Sequence, residues 1–422
     1  MKKYFVLLIL AVCLTVSFTL GNTATLLFWD QPLSDEALNH LIQNFQQKYP
    51  DIQIKREVQD TNTMRQIIST TLESGKGPDI IYYDTGPGWA GVLAKAGLLM
   101  PLDEAYKKFG WDRRILKWAK ERATYDGKAY GVGHEVEIYG VFYNKDIFKK
   151  LGLKEPKTYE EFIQICEKLK SNGYIPIAFA NKGGWPAYHM FSIMASNIAG
   201  KEKLAKAISG KISWTDPDFV EAIRIFFVDM NKKGYLIPQP NAVSYDDGSR
   251  LFYNGKAAMH MTGTWLIDDI EKNMKAPVGF FPFPSINGKP VYIPAGLGSG
   301  YFVSSKTKYS KEAFQFIDYL MSQEAAKIWL EEARAIPPIK IVTKDLNISP
   351  LFKNVITTIN RLTTTGTFGY NIDVLTPMNF NTVMSQGFQE VLDGKKTPEE
   401  VAKELQAAME EAKQKGMVME VE

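Results

Sequence analysis

The chain has 422 residues, which is more than one hydrophobic core usually supports, so its length predicts two domains. Its 45% hydrophobic and 23% charged residues are ordinary for a folded globular protein and exclude a wholly disordered one. The formal net charge of +3 falls to about +1 without the two lysines of the amino-terminal leader, which disfavours nucleic acid or an anionic membrane as a partner.

Residues 1–24 have the pattern of a secretory signal peptide, with two lysines before an apolar run and small residues after it. A membrane anchor is the alternative, but the run is barely long enough to span a bilayer and no basic cluster follows it. Cys13 is preceded by Val12, where a lipoprotein signal has a small residue, so we expect an exported, non-lipidated protein of the periplasm. Only Cys166 would then remain, so we expect no disulfide.

The exported chain opens with alternating strands and helices. Three apolar runs between residues 25 and 83 read as strands, and the segments between them carry apolar residues at helical spacing. This βαβαβ order predicts a parallel sheet, whose ligands bind beyond the carboxyl ends of its strands. The candidate site residues there are Asp30 and Gln31 after the first strand, and Tyr83 and Asp84 at the end of the third. Each of them could equally be a loop cap.

The segment 125–148 is predicted to cross between two domains. Turn-forming residues precede an extended run, and Glu135 and Glu137 lie between them. Two residues apart on a strand, these carboxylates would share one face and look into the cleft between the domains. The alternative is a pair of solvated edge carboxylates. His134 and Glu137 have no second histidine nearby at ligand spacing, so neither a metal nor a cofactor is predicted.

Two tryptophans are candidates for a binding surface. Trp185 lies in a loop with Asn181, between glycines and a proline, and Trp265 follows Gly263 after a strand-like run. An indole that stands clear of the backbone can cover the apolar C–H face of a sugar ring, while carboxylates and amides bond its hydroxyls. The alternative for Trp265 is a buried core residue.

Several short motifs occur in one order along the chain. They are Gly77–Ile81, Asp126–Lys128 with Tyr130–Val132, Tyr143–Asp146, Leu251–Met259 with Gly263–Trp265, Phe283–Pro284, Gly296–Tyr301, and Leu392–Lys395 with Thr397–Glu400. Together they resemble the extracellular solute-binding proteins of ABC sugar importers, the maltose-binding-protein-like family 1. The resemblance implies an α/β fold of the periplasmic-binding-protein type II, with two α/β lobes joined by a multi-crossover hinge.

The resemblance also implies a function without catalysis. A monomer would capture a mono- or oligosaccharide with high affinity by closing its lobes, and deliver it to the permease subunits of an ABC importer. The lobes would comprise residues 25–137 with 291–342, and residues 138–290 with 343–422. Two alternatives stay open: the same fold binding a peptide, polyamine or anion, and a glycoside hydrolase with two cleft carboxylates as acid and base. Clustered arginine would favour an anion, and Arg334 is the one candidate.

The predicted site residues come from the matching motifs and from the strand ends. Trp265 resembles the stacking platform of the family, Trp185 a second aromatic, and Glu137 the crossover carboxylate that bonds sugar hydroxyls. Gly298 would bring a backbone amide to the ligand. Some relatives have a further aromatic near Asn381, where this chain has no tryptophan. The whole predicted set is Trp265, Trp185, Glu137, Asp84, Tyr83, Asp30, Gln31, Asn181, Gly298, Arg334 and Asn381.

Overall fold

The computed structural model describes residues 23–32, 35–341 and 346–421, so residues 1–22 of the predicted signal peptide lie outside it. Within those ranges, no helix has the length and apolar character needed to cross a membrane. The strands are β1 (Ala24–Asp30), β2 (Ile52–Val58), β3 (Ile80–Asp84), β4 (Thr124–Tyr125), β5 (Lys128–Ala129), β6 (Gly131–Gly133), β7 (Glu137–Asn144), β8 (Ile175–Ile177), β9 (Ala257–Gly263), β10 (Val278–Phe281), β11 (Ile293–Gly296), β12 (Ser299–Val303) and β13 (Phe368–Tyr370).

Helices separate most of these strands and follow the last one. They are α1 (Asp35–Lys48), α2 (Thr61–Glu73), α3 (Ala90–Lys95), α4 (Asp103–Lys108), α5 (Trp111–Arg114), α6 (Lys117–Arg122), α7 (Lys145–Lys150), α8 (Tyr159–Ser171), α9 (Pro186–Ile198), α10 (Lys201–Ile208), α11 (Pro217–Ile223), α12 (Tyr245–Tyr253), α13 (Ile267–Asn273), α14 (Ser310–Leu320), α15 (Gln323–Ile328), α16 (Pro350–Thr365), α17 (Met378–Leu392) and α18 (Pro398–Gln414). Wider π-helical turns extend α11 and α15 over Arg224–Met230 and Trp329–Ala333, and 3-10 turns cover Pro240–Ala242 and Thr264–Leu266.

The first sheet has the strand order β2-β1-β3-β12-β6. β1 pairs in parallel with β2 and β3, which confirms the parallel βαβαβ start predicted from the sequence. β12 is a later strand that runs antiparallel to both β3 and β6. Helices α14 and α15 come much later in the chain, but they pack with α1, and α14 also contacts β1. We call this sheet with its helices the first lobe.

The second sheet has the order β13-β11-β7-β9-β8, with β10 added to β7. All eight residues of β7 are buried, so this strand is the centre of the second lobe. Helix α9 is buried along its whole length, because it packs against β11 and β13 as well as α11 and α17. Thr397 and Glu400 form a capping box at the start of α18.

The chain crosses between the lobes more than once, as a multi-crossover hinge requires. It leaves the first sheet after β6, returns before β12, and leaves again between α15, which packs with α1, and α16, which packs on β10. The predicted boundary at residue 291 assigns β11 to the first lobe, but β11 is hydrogen-bonded to β7 and β13 in the second sheet. The return to the first lobe therefore lies between Gly296 and Ser299. The other bounds of the two lobes stay a prediction.

The lobes touch closely beside the hinge. A Cβ atom added at Gly86 would lie 2.2 Å from the carbonyl oxygen of Val374, and one at Gly88 would lie 2.8 Å from the amide nitrogen of Met378. Only glycine leaves room for these contacts. The loop after β3 in the first lobe is therefore held against the loop that follows β13 in the second.

Candidate functional site

A cavity of about 490 Å³ lies between the two lobes, beyond the carboxyl ends of β1 and β3. Gln31 and Asp84 enter it from these strand ends, and Arg65 enters it from α2. Trp185 and Trp265 form part of the opposite side, from the second lobe. The position agrees with the general rule that open α/β sheets bind ligands outside the carboxyl ends of their strands.

The structure brings some of the predicted site residues together and leaves others elsewhere. Those that line the cavity are Trp265, Trp185, Glu137, Asp84, Gln31 and Gly298. Those that do not line it are Asp30, Tyr83, Asn181, Arg334 and Asn381.

Asp30 and Tyr83 lie at the predicted strand ends but belong to the interior of the first lobe. Asp30 accepts a hydrogen bond from Arg56 Nε at 2.8 Å, and it is 3% exposed. Burial raises the pKa of Asp30 to about 7, although Arg56 opposes this. Tyr83 is buried among apolar side chains that include Trp29 and Ile81. Alternation along β3 turns its side chain away from the cavity, which Tyr82 lines instead.

Asn181, Arg334 and Asn381 have structural partners that explain their distance from the cavity. The Asn181 side-chain oxygen accepts from the amide of Ala187 in the first turn of α9. Arg334 Nε donates to Glu271 at 2.7 Å. Asn381 Nδ2 donates to the carbonyl oxygen of Asp373 at 2.8 Å, so it supports a loop that lines the cavity rather than lining it itself.

An aromatic wall, made of Trp185, Tyr245 and Trp265, forms the second-lobe side of the cavity. The centroid of the Trp185 ring lies 4.5 Å from that of Tyr245 and 6.4 Å from that of Trp265. Trp265 Nε1 donates to the Tyr245 hydroxyl at 3.0 Å, and that hydroxyl also bonds Thr262 at 2.7 Å. Both tryptophans are only partly buried, so Trp265 is not the core residue of the alternative interpretation.

Gly263 is the local reason for the orientation of Trp265. A Cβ atom at Gly263 would lie 1.7 Å from the Trp265 ring, so the indole folds over a position that only glycine can occupy. Tyr139 and His189, which also line the cavity, make edge and tilted contacts with this ring at 5.5 Å and 5.0 Å. Burial lowers the pKa of His189 to about 3, with a smaller contribution from Arg65, so the histidine is neutral. The wall therefore carries no charge of its own.

An ionic wall, made of Arg65 and Asp84, forms the first-lobe side. Arg65 Nε and Nη2 donate to the two carboxylate oxygens of Asp84, each at 2.8 Å. The guanidinium carbon lies 4.4 Å from the centre of the Trp89 ring. Burial disfavours the charge on Arg65, but the Asp84 carboxylate more than offsets it and raises the pKa of Arg65. This bidentate pair holds Asp84 in one orientation.

The acceptor floor of the cavity consists of Glu137, Asn371 and Asp373. The amide of Gly298 donates to the Glu137 carboxylate, and a Cβ atom at residue 298 would lie 2.5 Å from a carboxylate oxygen. Burial, and then the neighbouring charges of Glu135 and Asp373, raise the pKa of Glu137 well above its usual range. Burial likewise raises the pKa of Asp373 to about 7.

Three buried polar atoms that face this cavity have no hydrogen-bond partner among the residues that the structure describes. They are Gln31 Nε2, Asn371 Oδ1 and Asp373 Oδ1. The side chains that carry them are no more than 5% exposed. A buried polar atom without a partner costs free energy, so these atoms mark the place where a ligand would complete the hydrogen bonding. Across the described ranges no group of histidine, cysteine and carboxylate side chains could hold a metal ion.

The sequence reasoning missed Arg65, Tyr245, Asn371 and Asp373. Asn371 and Asp373 follow β13, so the same strand-end argument that selected Asp84 would have selected them, had the three-residue strand been recognised. Tyr245 is the first residue of α12 and Arg65 lies one turn into α2. No local pattern separates such helix residues from solvent-exposed ones.

The family model described as "Bacterial extracellular solute-binding protein" matches residues 29–327. The chain belongs to this family. Members of the family bind solutes and do not catalyse reactions on them, which sets aside the glycoside-hydrolase alternative.

Individual relatives of this solute-binding protein cover most of its length. A multiple sugar-binding protein of Streptococcus mutans is 28% identical over 331 residues, which is 75% of this chain and 75% of that protein. A maltotriose-binding protein of Pyrococcus abyssi is 25% identical over 323 residues, 75% of this chain and 67% of that one. A solved chitin oligosaccharide binding protein is 26% identical and superposes with a TM-score of 0.83, covering 93% of this chain and 99% of that chain. The superposition confirms the predicted two-lobed fold of type II.

Proposed function

We propose that this solute-binding protein captures a carbohydrate in the interlobe cavity and delivers it to the permease of an ABC importer. The observation that carries the proposal is an aromatic wall that shares one cavity with buried polar atoms without partners. A sugar ring offers an apolar C–H face to an indole and hydroxyl groups to such atoms. The three relatives support the same ligand class, because their names state multiple sugars, maltotriose and a chitin oligosaccharide.

Binding would proceed by closure of the hinge. The aromatic wall belongs to the second lobe and the ionic wall to the first, so a sugar on one lobe gains contacts to the other only when the lobes meet. Lys272 of α13 reaches across the cleft to Glu36 of α1 at 2.9 Å. A shift from 1% to 99% closed requires about 5.5 kcal/mol of extra affinity for the closed state. A few charge-assisted hydrogen bonds and an aromatic stack supply energies of this order.

The proposal includes a place for the protein outside the cytoplasm. The leader pattern of residues 1–24, with Val12 before Cys13, favours export without a lipid anchor into the periplasm. We expect the exported protein to act as a monomer, since a closing cleft with both walls on one chain needs no second copy.

The test is a thermal-shift screen of residues 25–422 against mono- and oligosaccharides, with peptides, polyamines and phosphate as controls. A ligand at a hundred times its dissociation constant adds about 2.7 kcal/mol to the free energy of unfolding, which raises the melting temperature measurably. We expect a sugar to raise it and to be recovered unchanged. A shift with the control ligands alone would contradict the carbohydrate proposal while leaving the solute-binding family intact.

A further inference from the structure

The acceptor floor surrounds a gap in the second sheet. Gly296 pairs with Glu137 on one side, and Ala295 pairs with Tyr370 on the other, so Asn371 follows beside Gly296. Directly paired residues direct their side chains to the same face, and neighbouring strands lie about 4.8 Å apart. Glu137 and Asn371 are therefore about 10 Å apart across a glycine that has no side chain to fill the space between them.

The two atoms of the floor that have no partner in the described part of the chain are both acceptors. Asn371 bonds the hydroxyl of Tyr139, and its Oδ1 atom has no partner among the described residues. Asp373 Oδ1 is likewise without a partner in the described part of the chain, and Asp373 is 5% exposed. The carboxylate of Glu137 has the Gly298 amide as its donor. A ligand group that completes these contacts must bring several hydrogen atoms to donate.

Arg65, the cation that acts on Asp373, is already paired with another carboxylate. Arg65 is close enough to influence Asp373, but its Nε and Nη2 atoms donate to Asp84. Within the described ranges, neither Glu137 nor Asp373 takes part in a salt bridge. Six carboxylates and two cations line the whole cavity, so the negative charge is in excess. Buried carboxylates are stabilised by a cation that also donates hydrogen bonds.

We propose that the sugar taken by this cavity is an amino sugar, whose ring carries a basic amino group that binds the acceptor floor as an ammonium. This inference rests on the carbohydrate function proposed above. An ammonium donates three hydrogen bonds and carries a positive charge, whereas a hydroxyl donates one and carries none. The apolar face of the same ring would lie against the aromatic wall.

The ionisation of the floor supports this assignment. Glu137 faces the carboxyls of Glu135, Asp373 and Asp84, and Asp373 faces Arg65 and Asp84. Because burial raises the pKa of Asp373 to about 7, this carboxyl is only partly ionised in the empty cavity at neutral pH. An ammonium next to it favours the carboxylate, so amino-sugar binding releases protons near pH 7.

The first experiment is isothermal titration calorimetry of residues 25–422 with glucosamine, glucose and N-acetylglucosamine, and with the matching β-1,4-linked disaccharides. We expect the free amino sugar to bind roughly 10- to 100-fold more tightly than its hydroxyl and acetylated counterparts. We also expect its apparent enthalpy to vary with the ionisation enthalpy of the buffer, which reports proton release. Equal or tighter binding of the neutral sugars would overturn the amino-sugar assignment and leave the carbohydrate function standing. Binding of none of these six sugars would overturn the amino-sugar assignment, and the thermal-shift screen would decide the carbohydrate function separately.

A pair of matched variants tests the role of the floor. Asp373→Asn keeps the size of the side chain and removes its charge, so the preference for the amino sugar over the neutral sugar should fall by about tenfold. Asp51→Asn makes the same change at an exposed position before β2, outside the cavity, and should leave that preference unchanged. An unchanged preference in Asp373→Asn, with the fold verified by circular dichroism, would contradict an ammonium at this position.

Discussion

The aromatic wall and the acceptor floor share one cavity, but they are held together in different ways. The wall has its partners in the second lobe, where Trp265, Tyr245 and Thr262 form a chain of hydrogen bonds. The floor joins Glu137 at the start of β7 to Asp373 after β13, and parts of it have no protein partner in the described chain.

Because of this difference, we expect the aromatic wall to contribute mainly to affinity and the acceptor floor mainly to selectivity. A neutral wall with internal partners keeps its shape whether or not a ligand is present and is insensitive to pH, so it provides contact area for any sugar ring. A floor of raised-pKa carboxyls changes its energy with protonation and with what binds above it. The floor is therefore the part that can distinguish one sugar from another.

The largest expected effect concerns the floor and pH. The pKa of Asp373 in the folded protein, about 7, lies above the ordinary value of 3.8, so its protonated form stabilises the fold below about pH 4 and this contribution is lost as the pH rises through 7. Asp373→Asn imitates the protonated form. It should raise the free energy of unfolding near pH 8 by on the order of 4 kcal/mol at most, and change it little near pH 4.

Urea unfolding of the ligand-free protein at both pH values checks this expectation. Asp51→Asn, at an exposed position, serves as the matched control and should give the same small change at either pH. An increase in the free energy of unfolding of Asp373→Asn that is equal at pH 4 and pH 8 would mean that the ionised Asp373 carboxylate does not destabilise the fold.

The next effect concerns the ionic wall. The side chains of Arg65 and Asp84 are 15% and 11% exposed, so Arg65→Ala leaves a nearly buried carboxylate without its cation. Loss of one partner of such a pair should lower the free energy of unfolding by roughly 3 kcal/mol. Denaturant unfolding measures this, with Arg113→Ala on the exposed side of α5 as the control. Equal stability of the two variants would show that the pair contributes little.

A substitution in the aromatic wall should weaken sugar binding more than it destabilises the fold. Trp265→Ala removes a partly buried indole that lines the cavity, so it should weaken sugar binding by roughly 1–3 kcal/mol. Trp118→Ala removes an indole that is 36% exposed on α6, away from the cavity, and should leave the affinity unchanged. Calorimetric titration with the sugar found in the screen measures the affinity of both variants. Unchanged affinity in Trp265→Ala would show that this residue is not part of the site.

The smallest effect tests how the aromatic wall is held. Tyr245→Phe removes the hydroxyl that bonds Trp265 Nε1 and Thr262, but it keeps the ring beside Trp185. We expect an affinity loss of about 1 kcal/mol, the usual net contribution of one hydrogen bond. Tyr309→Phe, at a 36% exposed position, is the control for the same titration. A loss as large as that of Trp265→Ala would show that the hydroxyl contacts the sugar directly.

The sequence by itself determined the architecture and the two tryptophans of the aromatic wall. The order of apolar runs predicted the parallel start of the first sheet, because the pattern of buried positions within one element depends on that element alone. The small residue Gly263 near Trp265 predicted an indole clear of the backbone, and that ring lines the cavity. Glu137 was recognised as a cleft carboxylate, but Glu135 precedes β7 and does not line the cavity, so the expectation that the two share one face of a strand was wrong.

Only the tertiary structure decided which polar residues reach the cavity. Asp30 and Asp84 both end a strand of the first sheet, but Arg56 holds Asp30 in the interior while Arg65 holds Asp84 at the cavity. Asp373 joins Glu137 from a distant part of the chain, and Asn381 supports the loop of Asp373 instead of facing the cavity. These outcomes depend on partners brought together by packing, and the local spacing of residues in a sequence does not specify such long-range pairs.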